Sequence, residues 1–118
     1  MFEDVQRFSQ ETGPYMEKWN RSIHTDKSNG KRIAIWGSGS KCVSFITTLG
    51  IDREIDTVVD INPYRHHKFI PGTSKEVMPP ESLRKVQPDR VIVMNGIYEK
   101  EIRDSLAQMG LTPKIDLL

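Results

Sequence analysis

Four short apolar runs, separated by stretches with helical periodicity, constrain the fold of this chain more than any other feature. The runs cover residues 32–36, 57–61, 90–94 and 114–117. Between them, apolar residues recur three and four positions apart, which is typical of amphipathic helices. Strands that alternate with helices predict right-handed crossovers and a mostly parallel sheet covered on both faces. We therefore predict a Rossmann-like three-layer α/β domain over residues 31–118.

Glycine and proline residues mark the ends of the predicted helices. Gly50 follows a helical stripe over residues 42–49, where a left-handed C-terminal cap is expected. Gly110 ends a second stripe that begins near residue 98. A short helix opens at residues 79–80 and must stop before Pro88. Residues 64–78 predict an irregular connection with a short strand near residues 68–70.

Residues 1–30 precede this domain and form an N-terminal helical linker segment in our prediction. Their apolar residues predict one or two amphipathic helices, interrupted at residues 13–14. This helical stripe consists of Val5, Phe8, Tyr15, Met16, Trp19 and Ile23. The stripe either packs on the sheet as ordinary core, which we favour, or contacts a partner. The polar residues 25–30 predict the end of the linker.

Charge and cysteine content exclude several classes of function. The chain has 17 Lys and Arg against 16 Asp and Glu, so no broad basic surface favours nucleic acid. No apolar run approaches the roughly 18 residues of a membrane span, and the N-terminus does not have a signal-peptide pattern. We therefore expect a cytoplasmic domain. One cysteine, Cys42, allows neither an internal disulfide nor a cysteine-rich zinc site.

A glycine-rich turn directly follows the first predicted strand. It consists of Gly37, Ser38, Gly39, Ser40 and Lys41. Its pattern matches the dinucleotide-binding motif except at the third glycine, where Cys42 stands. The first glycine permits the tight turn, and the second lets a phosphate approach the free amides of the following helix. We predict phosphate binding here, with a ligand-free tight turn as the alternative. Cys42 falls on the apolar helix face and predicts core rather than a reactive thiol.

Polar residues also follow the second and third runs. Asp60 lies about 20 residues beyond Gly39, the spacing expected of a ribose-binding acid, although a turn-capping acid fits equally well. The residues predicted to hold a ribose or sugar are Asp60, Asn62, Arg65, Lys68, Asn95 and Tyr98. Solvated or structural roles are the alternatives for the basic loop, residues 65–68, and for Asn95 and Tyr98. The adjacent His66 and His67 would face opposite ways, so we predict no metal site. The sequence has neither a G-x-S-x-G elbow nor an H-E-x-x-H pair, so we predict no catalytic residues.

Four blocks of sequence, in order, carry a resemblance to a known family. They are residues 33–41, 58–63, 68–73 and 91–95, which include the segments D-I-N-P and K-F-I-P-G-T. Together they resemble the C-terminal domain of S-adenosylmethionine-dependent sugar C-methyltransferases over residues 31–118. The D-x-N-P and K-F-x-P-G-T blocks are more specific than the glycine turn alone.

The resemblance implies a domain that helps to hold a nucleotide-sugar and is not catalytic alone. It implies that S-adenosylmethionine binds in a separate preceding methyltransferase domain, present in cis or in trans, so that this chain holds no cofactor. Cys42 and His67 stand where the family often has glycine, and Gly96 where it often has proline. His67 would then adopt a left-handed conformation at a cost of roughly 1–2 kcal/mol, unless the loop differs.

Two other functions fit the same residues. An independent NAD-binding module would use Gly37, Gly39 and Asp60. A non-enzymatic interaction domain would use the N-terminal helical stripe to contact a partner, with the glycine turn as a vestige.

Overall fold

The computed structural model describes the backbone of residues 2–118 and the side chains of residues 14–118. The strands are β1 (Ile33–Trp36), β2 (Thr57–Val59), β3 (Val77–Met78), β4 (Arg90–Val93) and β5 (Lys114–Leu117). The helices are α1 (Phe2–Ser28), α2 (Ser40–Leu49), α3 (Leu83–Val86) and α4 (Glu99–Gln108). Three single turns of 3-10 helix cover Pro63–Arg65, Pro80–Ser82 and Gly96–Tyr98.

The five strands form one parallel sheet in the order β3-β2-β1-β4-β5. The central strand β1 pairs with β2 on one side and with β4 on the other. The chain therefore builds outward from β1 to β3, crosses back, and continues through β4 to β5. This topology confirms the predicted Rossmann-like α/β fold.

Alternate strand residues build two cores, one on each face of the sheet. Ile35 of β1 belongs to the same buried cluster as Phe45 of α2 and Ile23 of α1. Its neighbour Ala34 faces the other way and clusters with Ile102 and Leu106 of α4. Because both faces are covered, β1 and β4 are buried along their whole length, whereas the edge strand β5 is partly exposed and carries Lys114 and Asp116.

The described part of the helical stripe packs against the domain. Ile23 is fully buried, and the Trp19 ring meets the Phe45 ring edge-on at 5.4 Å between centroids. Tyr15 is 48% exposed, so burial decreases toward the N-terminus. Val5 and Phe8 lie outside the described side chains. Pro14 lies inside α1 rather than between two helices.

Of the polar residues 25–30, predicted as a linker, residues 25–28 form instead the last turn of α1, which ends at Ser28. Side-chain contacts hold this turn in place despite the modest helix propensity of its residues. Lys27 Nζ lies 2.8 Å from Asp56 Oδ2, and Asp26 Oδ2 lies 3.1 Å from Arg90 Nη1. The helix therefore ends against the sheet rather than leading into a free connection.

Arg90, the first residue of β4, is buried to all but 5% of its side chain. Its Nε donates to Asp116 Oδ2 at 2.6 Å, and its Nη1 donates to Asp26 and to Ser22 Oγ. The guanidinium also lies 5.4 Å from the centre of the Trp19 ring. One buried cation thus joins α1, β4 and β5, and its charge is compensated by two carboxylates.

The connection between β2 and β3 differs in detail from the prediction. The strand expected near residues 68–70 is a single antiparallel bridge between Phe69 and Glu76, and the sheet is extended by β3 instead. Ile70 N donates to Lys75 O and Val77 N to Lys68 O, which closes a narrow hairpin too short for a regular strand pair.

His67 has a φ of 68°, so it adopts the left-handed conformation that the resemblance implied. Its amide donates to Val77 O, and its Nδ1 lies 2.7 Å from Glu76 Oε2. These contacts hold the chain in a conformation that glycine would adopt without steric cost.

We expect His67→Gly to be more stable than His67→Ala by about 1 kcal/mol, because both variants lose the contact with Glu76 but only alanine keeps the strain. Urea unfolding of the two variants measures the difference in free energy. Equal stability of the two would show that the backbone at residue 67 is unstrained.

Candidate functional site

The site lies where the parallel strands end. Gly37 follows β1, Asp60 follows β2 and Asn95 comes two residues after β4, all at the carboxyl edge of the sheet. Strands β2 and β3 lie on one side of β1, and β4 and β5 lie on the other. The strand order therefore reverses at the boundary between the neighbouring strands β1 and β4. Ligands of open parallel sheets bind at such a switch point, so the turn after β1 is the place to examine.

The backbone of the glycine turn needs glycine at its first position. Gly37 has a φ of 117°, and its amide donates to Val59 O at 2.8 Å. A Cβ atom on Gly37 would lie 3.0 Å from the Cβ of Met94, so the chain passes β4 too closely for a side chain. The tight turn predicted from the sequence is therefore present.

The second glycine opens the amino end of α2. Gly39 is the N-cap residue, and no side chain caps the helix there. The amides of Cys42 and Val43 donate to Gly39 O, whereas those at the very start of an α-helix have no partner within it. Ser40 and Lys41 are exposed at this end. Amides with a positive helix end and a lysine nearby suit a negatively charged group.

Asp60 accepts three hydrogen bonds, two of them from the glycine turn. Its Oδ2 accepts from Ser38 N at 2.8 Å and from Ser38 Oγ at 2.6 Å, and its Oδ1 accepts from Asn62 N at 2.9 Å. Burial acts to raise the pKa of Asp60, but these hydrogen bonds and the nearby charge of Arg65 together lower it below its ordinary value. The carboxylate is therefore charged at neutral pH and holds the donors of Ser38.

Arg65 lies over the second glycine. Its Nη1 is 3.5 Å from the position that a Cβ on Gly39 would occupy, and the residue is exposed. The 3-10 turn Pro63–Arg65, capped by Asn62 Oδ1 accepting from Tyr64 N, brings the guanidinium there. The group above the turn is thus a solvated cation, which attracts an anion, rather than an apolar side chain that would block one.

The other predicted residues are more dispersed. Asn95 Oδ1 accepts from Ile97 N and caps a 3-10 turn. Tyr98, 53% exposed, ends that turn, and Lys68 is exposed at the end of the basic loop. His66 Nε2 lies 2.6 Å from Asp60 O, so this nitrogen carries a proton and donates. The structure therefore brings together the glycine turn, Asp60 and Arg65.

Cys42 is fully buried in the cluster that holds Phe45 and Ile46. Burial raises the pKa of its thiol to about 12, with a smaller contribution from the negative charge of Asp60. A small side chain therefore fills the place of the third glycine in the dinucleotide-binding pattern, as predicted, and the thiol belongs to the core.

Cys42 is expected to resist thiol reagents at pH 8 in the native protein and to react when the chain is unfolded in urea. The unfolded thiol ionises near pH 8.5, whereas the native thiol stays protonated up to about pH 12. Only the unfolded state loses a proton between these values, so the free energy of unfolding falls as the pH rises through this range. Rapid modification of the native protein would contradict burial of the thiol.

An apolar rim around the site was not predicted. Ile61, Tyr64 and Ile97 are 75%, 82% and 76% exposed, and all three follow strands at the carboxyl edge. The sequence predicts a strand up to residue 61, but β2 ends at Val59 because Asp60 accepts a hydrogen bond from Asn62 N and the chain turns there. Apolar residues within five positions after a strand were the sequence feature that could have indicated this rim.

Features elsewhere in the described residues do not add to this site. A cavity of about 500 Å³ lies at the opposite end of α2, lined in part by Thr47, Asp52 and Gly72. Over residues with described side chains, no three His, Cys, Asp or Glu side chains are grouped to hold a metal ion. None of the helices that the structure describes is long and apolar enough to cross a membrane.

The fold and the carboxyl-edge site define a Rossmann-like domain with a phosphate-type turn. The model of the C-methyltransferase C-terminal domain family matches residues 1–112, so the chain belongs to that family. The match includes α1 and the strands β1 to β4, whereas β5 lies beyond it. No curated protein matches the sequence.

Solved structures support the fold independently. RSP, a Rex-family repressor, matches with a TM-score of 0.56 and 15% identity over 75% of this chain and 52% of the repressor chain. RSP in complex with β-NADH matches with a TM-score of 0.57 and 16% identity over 79% of this chain and 57% of the other. This chain thus spans only about half the length of these structures, and the likeness concerns the fold.

Proposed function

We propose that this chain is the nucleotide-sugar-holding part of a C-methyltransferase and is not catalytic alone. The ligand's diphosphate would sit against the amides at the start of α2. The observation that carries the proposal is the place of Arg65, whose exposed guanidinium lies beside Gly39. Membership of the C-methyltransferase C-terminal domain family supports the methyltransferase context.

The proposal assigns binding of the methyl donor and binding of the nucleotide-sugar to two different domains. S-adenosylmethionine would bind to a separate methyltransferase domain in cis or in trans, and this chain would supply no cofactor site. Within this chain, phosphate oxygens would be bound by the backbone amides of residues 39–41 and by the charged side chains of Lys41 and Arg65. Lys68, Asn95 and Tyr98 would contact the sugar or base from the loops beside the turn.

An NAD-binding module is the second candidate, since a structure of the same fold was solved with β-NADH. Both candidates use the glycine turn, so the ligand distinguishes them. Trp19 and Ile23 of the helical stripe pack in the core, which leaves less apolar surface for the interaction-domain alternative.

Titration of the isotope-labelled full chain with thymidine diphosphate, NAD and S-adenosylmethionine tests the proposal. We expect amide shifts at Gly37, Gly39 and Lys41 with thymidine diphosphate and none with S-adenosylmethionine. Shifts with NAD alone would favour the second candidate. If none of the three ligands moves these amides, the proposal is wrong.

An arginine pair provides the matched variants. Arg65→Met is expected to weaken thymidine diphosphate binding roughly tenfold, the effect of losing one charge-assisted contact. Arg84→Met removes the same charge from the exposed side of α3, away from the turn, and should leave the affinity unchanged. An equal loss in both variants would indicate only a general electrostatic attraction.

A further inference from the structure

We infer that Asp60 acts as a positioning residue that shapes the phosphate turn, rather than as the acid that holds a ribose. The inference rests on the proposed function, since it concerns the same site. The spacing of Asp60 in the sequence predicts ribose binding. The inference predicts instead that loss of this carboxylate affects how the phosphates of a ligand are bound.

The contacts of Asp60 are directed into the protein. A carboxylate has about four lone-pair positions, and Asp60 uses three of them on Ser38 N, Ser38 Oγ and Asn62 N. A ribose recognised through both of its hydroxyls needs two acceptor positions. Asp60 has one left, so a ribose could be bound in that way only by breaking a bond that holds the turn.

The partner of Asp60 is sheltered from water. Ser38 is 8% exposed, so its hydroxyl and amide have little access to solvent, and loss of their acceptor would leave them unsatisfied. With Ser38 N directed to Asp60, the next amides along the chain, at the start of α2, are the ones left for a ligand. The same carboxylate binds Asn62 N, at the start of the segment that places Arg65 over Gly39.

Asp60 therefore connects both halves of the anion site. One oxygen orders the turn that presents amides, and the other orders the segment that presents the guanidinium. Loss of Asp60 would weaken the contacts that the amides and the arginine make with the phosphates of a ligand, and not the contacts with its sugar.

Comparing inorganic pyrophosphate with uridine diphosphate separates the two roles, because uridine diphosphate has a ribose with both hydroxyls and pyrophosphate has no sugar. We expect Asp60→Asn to weaken binding of both probes by the same factor, roughly tenfold. Loss confined to uridine diphosphate would overturn the inference in favour of ribose binding. Asp104→Asn, which removes the same charge from an exposed position on α4, is the matched control and should bind both probes like the wild type.

A double-mutant cycle shows whether Asp60 acts through Ser38. Ser38→Ala removes one of the three donors and should weaken pyrophosphate binding less than Asp60→Asn does. The double variant should then bind about as well as Asp60→Asn alone, because the same contact has been lost. Additive losses would mean that the two side chains reach the ligand separately, which contradicts the inference.

Amide hydrogen exchange gives a readout that needs no ligand. In Asp60→Asn, the Ser38 amide should exchange faster, while amides of β4 keep their protection. Unchanged protection of Ser38 would overturn the inference even if ligand binding were lost. If the wild type bound neither probe, the proposed function would fail, and the exchange result alone would decide whether Asp60 orders the turn.

Discussion

Arg90→Ala is expected to destabilise the protein by about 3 kcal/mol, because removal of one partner from a buried ion-pair network leaves the others uncompensated. Arg90 is 5% exposed, whereas its partners Asp26 and Asp116 are 24% and 22% exposed. Water can therefore reach the two carboxylates, which keeps the expected loss at the lower end for such networks. The loss should also loosen α1, since two of the contacts of Arg90 are on that helix.

Arg103→Ala is the matched control for this prediction. Arg103 Nε lies 2.7 Å from Glu99 Oε2, a distance close to that between Arg90 and Asp116, but its side chain is 52% exposed. An exposed pair one helical turn apart is worth about 0.3–0.5 kcal/mol. Urea unfolding of both variants in the full chain measures the contrast. Losses of equal size would show that burial of Arg90 does not increase its contribution to the free energy of unfolding.

Gly37→Ala is expected to cost about 2–5 kcal/mol and to abolish ligand binding at the turn. The backbone conformation, with a φ of 117°, contributes about 1–3 kcal/mol of strain for a residue with a side chain. The contact of 3.0 Å with Met94 adds a further cost of overpacking, about 1 kcal/mol or more.

Gly30→Ala separates these two effects. Gly30 has a φ of 75°, but a Cβ there would meet nothing within 4 Å, so only the backbone cost of about 1–2 kcal/mol applies. Thermal or urea unfolding of both variants gives the comparison. If Gly37→Ala were no worse than Gly30→Ala, the close approach of the turn to β4 would not matter.

The sheet and its main helices could be predicted because both faces of a parallel sheet are buried. Residues 33–36 and 90–93 are apolar or buried throughout, which makes them recognisable as central strands. Gly50 was placed correctly as a helix cap, with a φ of 64° and its amide bonded to Ile46 O. Local sequence was sufficient for these elements, since the apolar runs of the strands and the capping glycine are visible within a few neighbouring residues.

Contacts between distant residues explain what the sequence did not reveal. Helix α1 runs through the polar residues 25–28 because Asp26 and Lys27 bind residues 64 and 29 positions away. Strand β3 has two residues, too few for any periodicity, and its place depends on pairing with β2. Spacing located Asp60 near the turn, but only its three hydrogen bonds show that Ser38 and Asn62 are its partners.

The central claim is that the amides at the start of α2 and the Arg65 guanidinium bind the phosphates of a nucleotide ligand. A crystal structure of the chain with thymidine diphosphate tests it most directly. The account predicts phosphate oxygens at hydrogen-bond distance, about 2.7–3.2 Å, from backbone amides of residues 39–41 and from the Arg65 side chain. A ligand bound elsewhere, such as in the cavity at the far end of α2, with the glycine turn unchanged, would contradict it.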